Sequence, residues 1–320
     1  MRRRRRSQPP GRVEARIDLG PITLPNAIVA ASGTFGHGAE VAQLADPRGV
    51  GAVTTKSVAA YAWEGNPARR VAETAGGGML NSVGLPGPGI EAWIARDLPA
   101  LEARGARVIA SIWGRSVDEY AAAAGPLKAV ADRVVALEVN LSCPNVEARR
   151  HVFAHSADAT RAAVSRVVET LGDALPVFAK LSPNVTDIVE IAQAAVDAGA
   201  TGLTLVNTVM GFAIDPETRH SVLGAGGGGL SGAPIKPIAL RAVWEVSRAL
   251  PNTPIIGTGG VRTGRDAAEM LLAGAHAVGV GTATFLEPRA PLRIAAELRA
   301  WCADQGIGRV RDLTGGVTAP

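Results

Sequence analysis

Eight short apolar runs recur along the chain, and each run ends in polar or glycine residues. The runs are rich in β-branched residues and do not alternate with polar positions, which is typical of parallel strands buried on both faces. They cover residues 27–32, 51–57, 107–114, 136–145, 176–183, 202–208, 254–260 and 277–285. The pattern therefore predicts eight strands of a parallel sheet.

Stretches with helical periodicity fill most of the intervals between these runs. One opens at Ser116 with two acids in its first turn, and another opens at Thr186-Asp187 and ends at Gly199. Both carry the start signals of capped helices. Eight strand–helix units over roughly 280 residues predict a (β/α)8 TIM barrel, for which about 250 residues is typical. A doubly wound sheet is the alternative fold, but its glycine fingerprint is missing, because ASGTFGHG has its glycines in the wrong order.

The longest interruption of the pattern covers residues 210–232, after the sixth run. In a barrel, an excursion at this point would lie over the carboxyl ends of the strands as a flap. Its four-glycine run, Gly226 to Gly229, fits either a flexible connector or a close approach of the backbone to a ligand. The sequence does not separate these two roles.

Charge is concentrated at one end of the chain. The formal net charge is +4, and five arginines stand at positions 2–6. Such a block beside proline and glycine favours a disordered, solvated tail over residues 1–13, although it could also contact RNA or anionic lipid. Residues 14–320 are expected to form one barrel domain. Because no apolar run reaches 18 residues, no transmembrane helix is predicted, and a cytoplasmic location is expected.

Polar residues collect where the predicted strands end, which is where barrel enzymes carry their chemistry. These positions are Ser32, Lys56, Ser57, Asn140, Cys143, Lys180, Asn207 and Thr208. The last two runs end in Gly259-Gly260 and Gly281-Thr282. Glycine lets backbone N–H groups approach phosphate oxygens closely. The sequence thus predicts a phosphate site, which a phosphosugar or flavin mononucleotide (FMN) could occupy.

Four asparagines suggest what else the site could bind. A carboxamide offers a donor and an acceptor side by side without charge, and so matches the N–H and C=O groups of a pyrimidine-dione ring. Asn81, Asn140, Asn145 and Asn207 lie beside strand ends or in glycine- and proline-rich loops. We therefore expect these amides to face a ligand.

The two cysteines, Cys143 and Cys302, differ in their surroundings and are too few for a disulfide framework or an iron–sulfur cluster. Cys302 lies on an apolar helical face, where a free thiol acts as a small hydrophobe. Cys143 lies in a loop with proline and asparagine. A thiol with a pKa near about 8.5 can accept a proton from a weakly acidic carbon. The five histidines are scattered, and no metal site is predicted.

Several long motifs are similar to those of a known family. The segments are AASGTFGHG, TTKS, GNPARRVAET, MLNSVGLPGPG, NLSCPNV, KLSPNVTDI, LVNTVMGFAID, GGLSGAPIKPIAL, GTGGV and AVGVGTATF. In this order, from about residue 14 to 305, the chain resembles class 1 dihydroorotate dehydrogenases. RVAET, LSPNVTDI and GGLSGAPIKPIAL look more like the NAD-linked B subtype than the fumarate-linked A subtype. Class 2 enzymes use a serine base and carry a membrane segment, and neither feature is found here.

The resemblance implies an FMN enzyme that oxidises dihydroorotate to orotate in pyrimidine (UMP) biosynthesis. Cys143 would remove the C5 proton, and the C6 hydride would pass to flavin N5. The implied substrate residues are Lys56, Asn81, Ser82, Val83, Gly84, Leu85, Asn140, Asn145, Asn207 and Thr208. The implied FMN residues are Ser32, Lys56, Ser57, Ser111, Asn140, Lys180, Val206, Gly232, Gly259, Gly260, Gly281 and Thr282. Lys180 would stabilise negative charge near N1 and O2 of the flavin.

The chain departs from the family pattern at one strand. Where the family often has VIANVAG, this sequence reads VIASIWG, so that Ser111 replaces an amide expected to contact FMN and Trp113 adds bulk beside it. A serine hydroxyl has a shorter reach than a carboxamide. Flavin affinity or substrate selectivity is therefore expected to differ from the family norm.

Partners follow from the resemblance as well. We expect a homodimer, and a partner subunit with FAD and an iron–sulfur cluster as the electron exit, with fumarate or a quinone as alternatives. Two other functions stay open from the sequence: a tRNA dihydrouridine synthase or another dihydropyrimidine oxidoreductase, and a non-catalytic barrel subunit. Nucleic-acid binding is disfavoured, because only about 35 residues follow the eighth run, too few for an RNA-binding domain.

Overall fold

The structure is a computed structural model that describes residues 13–74, 76–142 and 152–318. The predicted base Cys143, the predicted substrate residue Asn145 and the arginine block lie outside the described residues. Val13, at the end of the predicted tail, is buried with 8% of its surface exposed.

The described residues form sixteen strands. In chain order they are β1 (Ile17–Leu19), β2 (Ile22–Leu24), β3 (Ile28–Ala30), β4 (Ala52–Thr54), β5 (Val71–Thr74), β6 (Gly78–Asn81), β7 (Val108–Ile112), β8 (Ala136–Asn140), β9 (Val177–Leu181), β10 (Gly202–Leu205), β11 (Val209–Gly211), β12 (Ile214–Asp215), β13 (His220–Ser221), β14 (Gly228–Gly232), β15 (Ile255–Thr258) and β16 (Ala277–Val280).

The α-helices of the described residues surround these strands. They are α1 (Ile90–Ala92), α2 (Leu98–Glu102), α3 (Val117–Ala124), α4 (Ala157–Leu171), α5 (Ile188–Asp197), α6 (Lys236–Ala249), α7 (Gly264–Leu272), α8 (Ala283–Leu286) and α9 (Ala290–Asp304). A π-helical turn, Trp93–Asp97, joins α1 to α2. Short 3-10 helices cover Val41–Gln43, Pro47–Gly49, Gly125–Arg133, Phe153–His155, Gly172–Ala174, Ala233–Ile235 and Val310–Leu313.

Eight parallel strands close into a barrel in the order β10-β15-β16-β3-β4-β7-β8-β9. Each of the eight lies inside one of the apolar runs, and the predicted (β/α)8 barrel is confirmed. The strands are shorter than the runs, because the polar ends of the runs turn out of the sheet. The last residues of the eighth run form the short helix α8 instead of strand.

The predicted helix starts are confirmed by their caps. The Ser116 side chain accepts a hydrogen bond from the Glu119 N–H, and the Asp187 side chain accepts from the N–H groups of Val189 and Glu190. The stretch that opens at Ser116 is α-helical only to Ala124 and continues as a 3-10 helix. Pro126 lies at this change and has no N–H to donate, so it interrupts the α-helical hydrogen bonds.

A second sheet is built from the excursions between the barrel strands. Its order is β11-β14-β6-β5, and all its pairs are antiparallel. The glycine run takes part in this sheet through β14, so Gly228 and Gly229 are not a flexible connector. A Cβ on Gly229 would lie 2.0 Å from Thr208 Oγ1, and one on Gly228 would lie 2.5 Å from the Asn81 carbonyl oxygen. These glycines permit close backbone packing beside the barrel mouth.

Buried side chains from the barrel strands and the inner helix faces make one main core. Cys302 lies in it, as predicted, with no exposed surface, and burial raises the pKa of its thiol. Across the three described ranges, every helix is too short or too polar to span a lipid bilayer.

Gly202 in β10 offers a test of how tightly the barrel is packed. A Cβ there would lie 2.4 Å from Phe178 Cε1 and 2.7 Å from the Pro254 carbonyl oxygen. We expect Gly202→Ala to lower the free energy of unfolding by about 1–3 kcal/mol in urea denaturation, because overpacked cores must shift to fit. Gly308→Ala is the control, since a Cβ there meets nothing within 4 Å. Equal stability of the two variants would contradict tight packing at Gly202.

Candidate active site

A cavity of about 620 Å³ lies at the carboxyl ends of the barrel strands. Its walls come from the strand ends, from β6 with the loop after it, and from β14. All but one of the predicted site residues within the described ranges line it. They are Ser32, Lys56, Ser57, Asn81, Ser82, Val83, Gly84, Leu85, Asn140, Lys180, Val206, Asn207, Thr208, Gly232, Gly259, Gly260, Gly281 and Thr282. The structure thus brings these residues together; their individual roles stay predictions.

Hydrogen bonds fix the orientation of the amides at the centre of the cavity. Asn140 Nδ2 donates to Ser57 Oγ at 3.1 Å, and Asn207 Nδ2 donates to Asn140 Oδ1 at 3.3 Å. The Ser32 hydroxyl donates to the Thr55 carbonyl oxygen at 2.8 Å. Because each amide has a partner on its strand-facing side, its orientation is set before any ligand binds.

Ser111 is the exception among the predicted residues. Its side chain is fully buried, does not line the cavity, and lies 2.8 Å from Ser57, hydroxyl to hydroxyl. This placement differs from the direct cofactor contact expected for this position. The influence of Ser111 on a ligand is therefore indirect, through its hydrogen-bond partners Ser57 and Glu138.

A buried carboxylate supports the deepest lysine of the cavity. Glu138 is only 2% exposed, and its Oε1 lies 3.7 Å from Lys180 Nζ. Thr204 Oγ1 donates to Glu138 Oε2 at 3.0 Å, and Ser111 Oγ donates to Oε1 at 3.5 Å. Sequence reasoning missed Glu138. The signal was a single charge inside the apolar run ALEVN, which requires a buried partner.

Lys56 is the second lysine of the cavity and lies in a different electrostatic setting. Burial lowers the pKa of Lys56, and the positive charge of Arg70 lowers it further. Burial and the charge of Lys56 also lower the pKa of His37. A bound anion would therefore stabilise the charged form of Lys56, because it would offset both the burial of Lys56 and the charge of Arg70.

The glycine turns after β15 and β16 suit a phosphate group. Gly259 and Gly260 have φ of 137° and 76°, a region that disfavours side chains. A Cβ on Gly260 would lie 2.5 Å from Lys236 Cβ. Thr258 lines the cavity, and its buried hydroxyl, which lies against Gly279, has no hydrogen-bond partner among the described residues. These features fit a phosphate-bearing cofactor such as FMN.

Sequence reasoning also missed Asn184, which lies in the LSPNV motif after β9. Its Nδ2 donates to the Thr208 carbonyl oxygen at 2.9 Å, and its Oδ1 accepts from the Met210 N–H at 2.8 Å. Asn184 thereby ties the start of the 210–232 excursion to the barrel. No group of three or more potential metal ligands is found in the described part of the chain.

A parallel eight-stranded barrel with lysines, oriented amides and glycine turns at its carboxyl end has the architecture of a (β/α)8-barrel enzyme. The family model described as "Dihydroorotate dehydrogenase" matches residues 16–301. The chain belongs to the dihydroorotate dehydrogenase family and is an oxidoreductase of that family. The resemblance inferred from the motifs is confirmed, and the family is flavin-dependent.

Two relatives show how far the similarity extends. The catalytic subunit of dihydroorotate dehydrogenase B (NAD(+)) of Geobacter sulfurreducens is 46% identical over 299 residues, which are 93% of this chain and 96% of that protein. The protein of the same name from Desulforudis audaxviator is 46% identical over 304 residues, 95% of this chain and 97% of that protein. These matches do not favour the tRNA dihydrouridine synthase alternative.

The buried pair of Glu138 and Lys180 can be tested by stability. Glu138→Ala should lower the free energy of unfolding by about 3–5 kcal/mol, because it leaves the Lys180 charge buried without a partner. The double variant Glu138→Gln, Lys180→Met should recover much of the loss, since no unpaired charge remains. Urea denaturation of each variant measures both effects.

Glu245→Gln is the control for this experiment. Glu245 pairs with Arg241, whose side chain is 78% exposed, and an exposed pair contributes at most about 1 kcal/mol. If Glu138→Ala were no more destabilising than Glu245→Gln, the buried pair would not stabilise the barrel.

Proposed function

We propose that this chain is the catalytic subunit of an NAD-linked, B-type enzyme that oxidises dihydroorotate to orotate in pyrimidine biosynthesis, with FMN as its cofactor. The observation that carries the proposal is the cavity itself. The chain belongs to this family, and at the carboxyl end of its barrel a cavity of about 620 Å³ is lined by Lys56, Asn140, Lys180 and Asn207. The space suits a flat heterocycle beside a larger cofactor.

The strand ends would hold the cofactor. The turns at Gly259-Gly260 and Gly281-Thr282 would offer backbone N–H groups to a phosphate. FMN, when bound, supplies the acceptor for a hydride. Lys180, held beside Glu138, places a buried positive charge in the cavity wall, where it would favour negative charge on the cofactor.

The remaining residues would bind and orient the substrate. Lys56 attracts the substrate carboxylate, and the amides of Asn140 and Asn207 match the N–H and C=O groups of the dihydropyrimidine ring. The loop Asn81–Leu85 lines the same cavity. Cys143 would remove the proton from C5 as a thiolate, while the oriented amides hold the ring in one orientation.

The electrons then leave through a second protein. The relatives are named as catalytic subunits of NAD-dependent enzymes, which implies that those chains work with another subunit. We propose a partner with FAD and an iron–sulfur cluster, a homodimer of this chain as the core of the complex, and a cytoplasmic location. Fumarate and a quinone are the competing electron acceptors. Measuring turnover with each of them in the absence of a partner distinguishes these two acceptors from a partner subunit.

Anaerobic mixing with dihydroorotate tests the proposal most directly. FMN-reconstituted protein should lose its flavin absorbance, and Cys143→Ala should stay yellow but lose absorbance about 10²- to 10⁴-fold more slowly, because the base is missing. Cys302→Ala is the matched control, since Cys302 is buried in the main core. A protein that binds no FMN would overturn the cofactor assignment, and an unchanged rate for Cys143→Ala would remove Cys143 from the mechanism.

The pH dependence of orotate affinity tests Lys56 separately. The pKa of Lys56 is lowered from its ordinary value of 10.5, so its positive charge is lost at a lower pH than for an exposed lysine. Orotate affinity should therefore fall as pH rises through this lowered pKa, while Lys56→Arg should keep its affinity because arginine remains charged. Calorimetric titration between pH 7 and 10 gives both profiles. Parallel profiles for the two proteins would exclude Lys56 as the carboxylate partner.

A further inference from the structure

Four side chains beside the cavity form a cluster of their own. Tyr61, Trp63, Trp113 and Arg115, here called the aromatic latch, lie apart from the main core. Trp113 is 3% exposed and packs with Ala59 in a separate small hydrophobic cluster. The Tyr61 and Trp63 rings meet Trp113 edge to face, at centroid distances of 6.3 Å and 6.5 Å. This is the favourable geometry for aromatic pairs.

Arg115 holds the latch together. Its guanidinium carbon lies 4.5 Å from the centroid of the Trp63 ring and 5.2 Å from that of Tyr61, within the range of cation–π attraction. Its Nε donates to the Tyr61 hydroxyl at 2.8 Å. The Tyr61 hydroxyl and the Arg115 backbone N–H both donate to Glu119 Oε2, at 2.9 Å and 2.8 Å. Burial raises the pKa of Tyr61, so the phenol stays protonated and able to donate.

The latch contacts the cavity loop directly. Trp63 Nε1 donates to the Gly84 carbonyl oxygen at 3.0 Å, and the backbones of Trp63 and Gly87 exchange two hydrogen bonds of 2.9 Å and 2.8 Å. Leu85 packs against the same cluster and has φ of 56°, in the left-handed region. A non-glycine residue persists there only when its surroundings hold it. The latch is therefore part of what fixes the loop Asn81–Leu85.

The other side of the latch is anchored on the barrel. Trp113 directly follows β7 and Arg115 lies two residues further on, and the Trp113 N–H donates to the Val58 carbonyl oxygen at 3.1 Å. The Val58 N–H in turn donates to the Ser111 carbonyl oxygen at 2.9 Å. The cluster thus connects the rim of the barrel to the loop, which Asn66 and Arg70 also hold through hydrogen bonds with Val83 and Ser82.

We propose that Arg115 is a positioning residue that keeps the loop Asn81–Leu85 in its substrate-binding conformation by clamping Trp63 against the barrel rim. Arg115 does not line the cavity, so it acts through Trp63 and the Gly84 carbonyl group. This inference rests on the proposed substrate role of the loop. The proposal also gives a function to the bulky Trp113, which departs from the family pattern: the Tyr61 and Trp63 rings pack against it.

The first test needs neither substrate nor activity. Hydrogen exchange of the backbone amides in residues 81–87 should be about tenfold faster or more in Arg115→Ala than in the wild-type protein, because local opening becomes easier. Trp63→Phe keeps a ring but loses the hydrogen bond to Gly84, and it should show a smaller increase. Arg115→Lys keeps the cation and should be intermediate. Unchanged exchange in Arg115→Ala would overturn the proposal, whatever the fate of the proposed function.

The second test links the loop to the substrate. In Arg115→Ala, KM for dihydroorotate and Kd for orotate should rise about tenfold, whereas kcat and FMN content should change less than about twofold, because the lost interaction is one of binding. Arg241→Ala is the matched control, since Arg241 is an exposed arginine on α6. Faster exchange without a change in KM or Kd would show that the latch stabilises the loop but does not position it for substrate. Absence of dihydroorotate turnover in the wild-type protein would instead count against the proposed function alone.

Discussion

Closure of eight short parallel strands is the constraint on which the site depends. Because all eight run in one direction, their carboxyl ends emerge at the same end of the barrel. The register pairs Lys180 with Asn140 on one side and with Thr204 on the other. A slip of one residue in either pair would reverse which side chains point inward. The convergence of Lys180 and Asn140 is thus a property of strand pairing.

The same constraint explains why a barrel core tolerates a charged pair. Side chains two residues apart on a strand share a face, so Glu138 lies on the same side of β8 as Asn140 and one layer deeper. Ser111 reaches Glu138 from the neighbouring strand β7, and Thr204 reaches it from β10, on the far side of β9. From there, hydrogen bonds continue through Ser57 and Asn140 to Asn207 at the cavity. A buried polar network of this kind restricts the rotation of every member, and so pre-orients the groups at its open end.

The parts that could be predicted from the sequence are those determined by local pattern. The apolar runs predicted all eight barrel strands, and Ser116 and Asp187 predicted helix starts, because periodicity and capping are encoded within a few residues. The second sheet could not be predicted in this way. Its strands β6 and β14 pair across 148 residues of chain, as the bond from Asn81 to Gly229 shows. The Ser111 placement, the Glu138–Lys180 pair and the Arg115 contacts likewise depend on tertiary distances that spacing does not encode.

The cavity wall is built partly from the barrel strands and partly from the excursions between them. The strand ends and glycine turns that suit a phosphate-bearing cofactor belong to the barrel, whose closure holds them in place. The loop Asn81–Leu85 and the strand β14 belong to the excursions between the barrel strands, and connecting segments of this kind are generally more mobile than the elements they join. A wall built on such a loop needs its own support to keep the geometry that binding requires. The aromatic latch supplies that support from the rim of β7, because Arg115 transmits the position of a barrel strand, through Trp63, to the backbone of the loop.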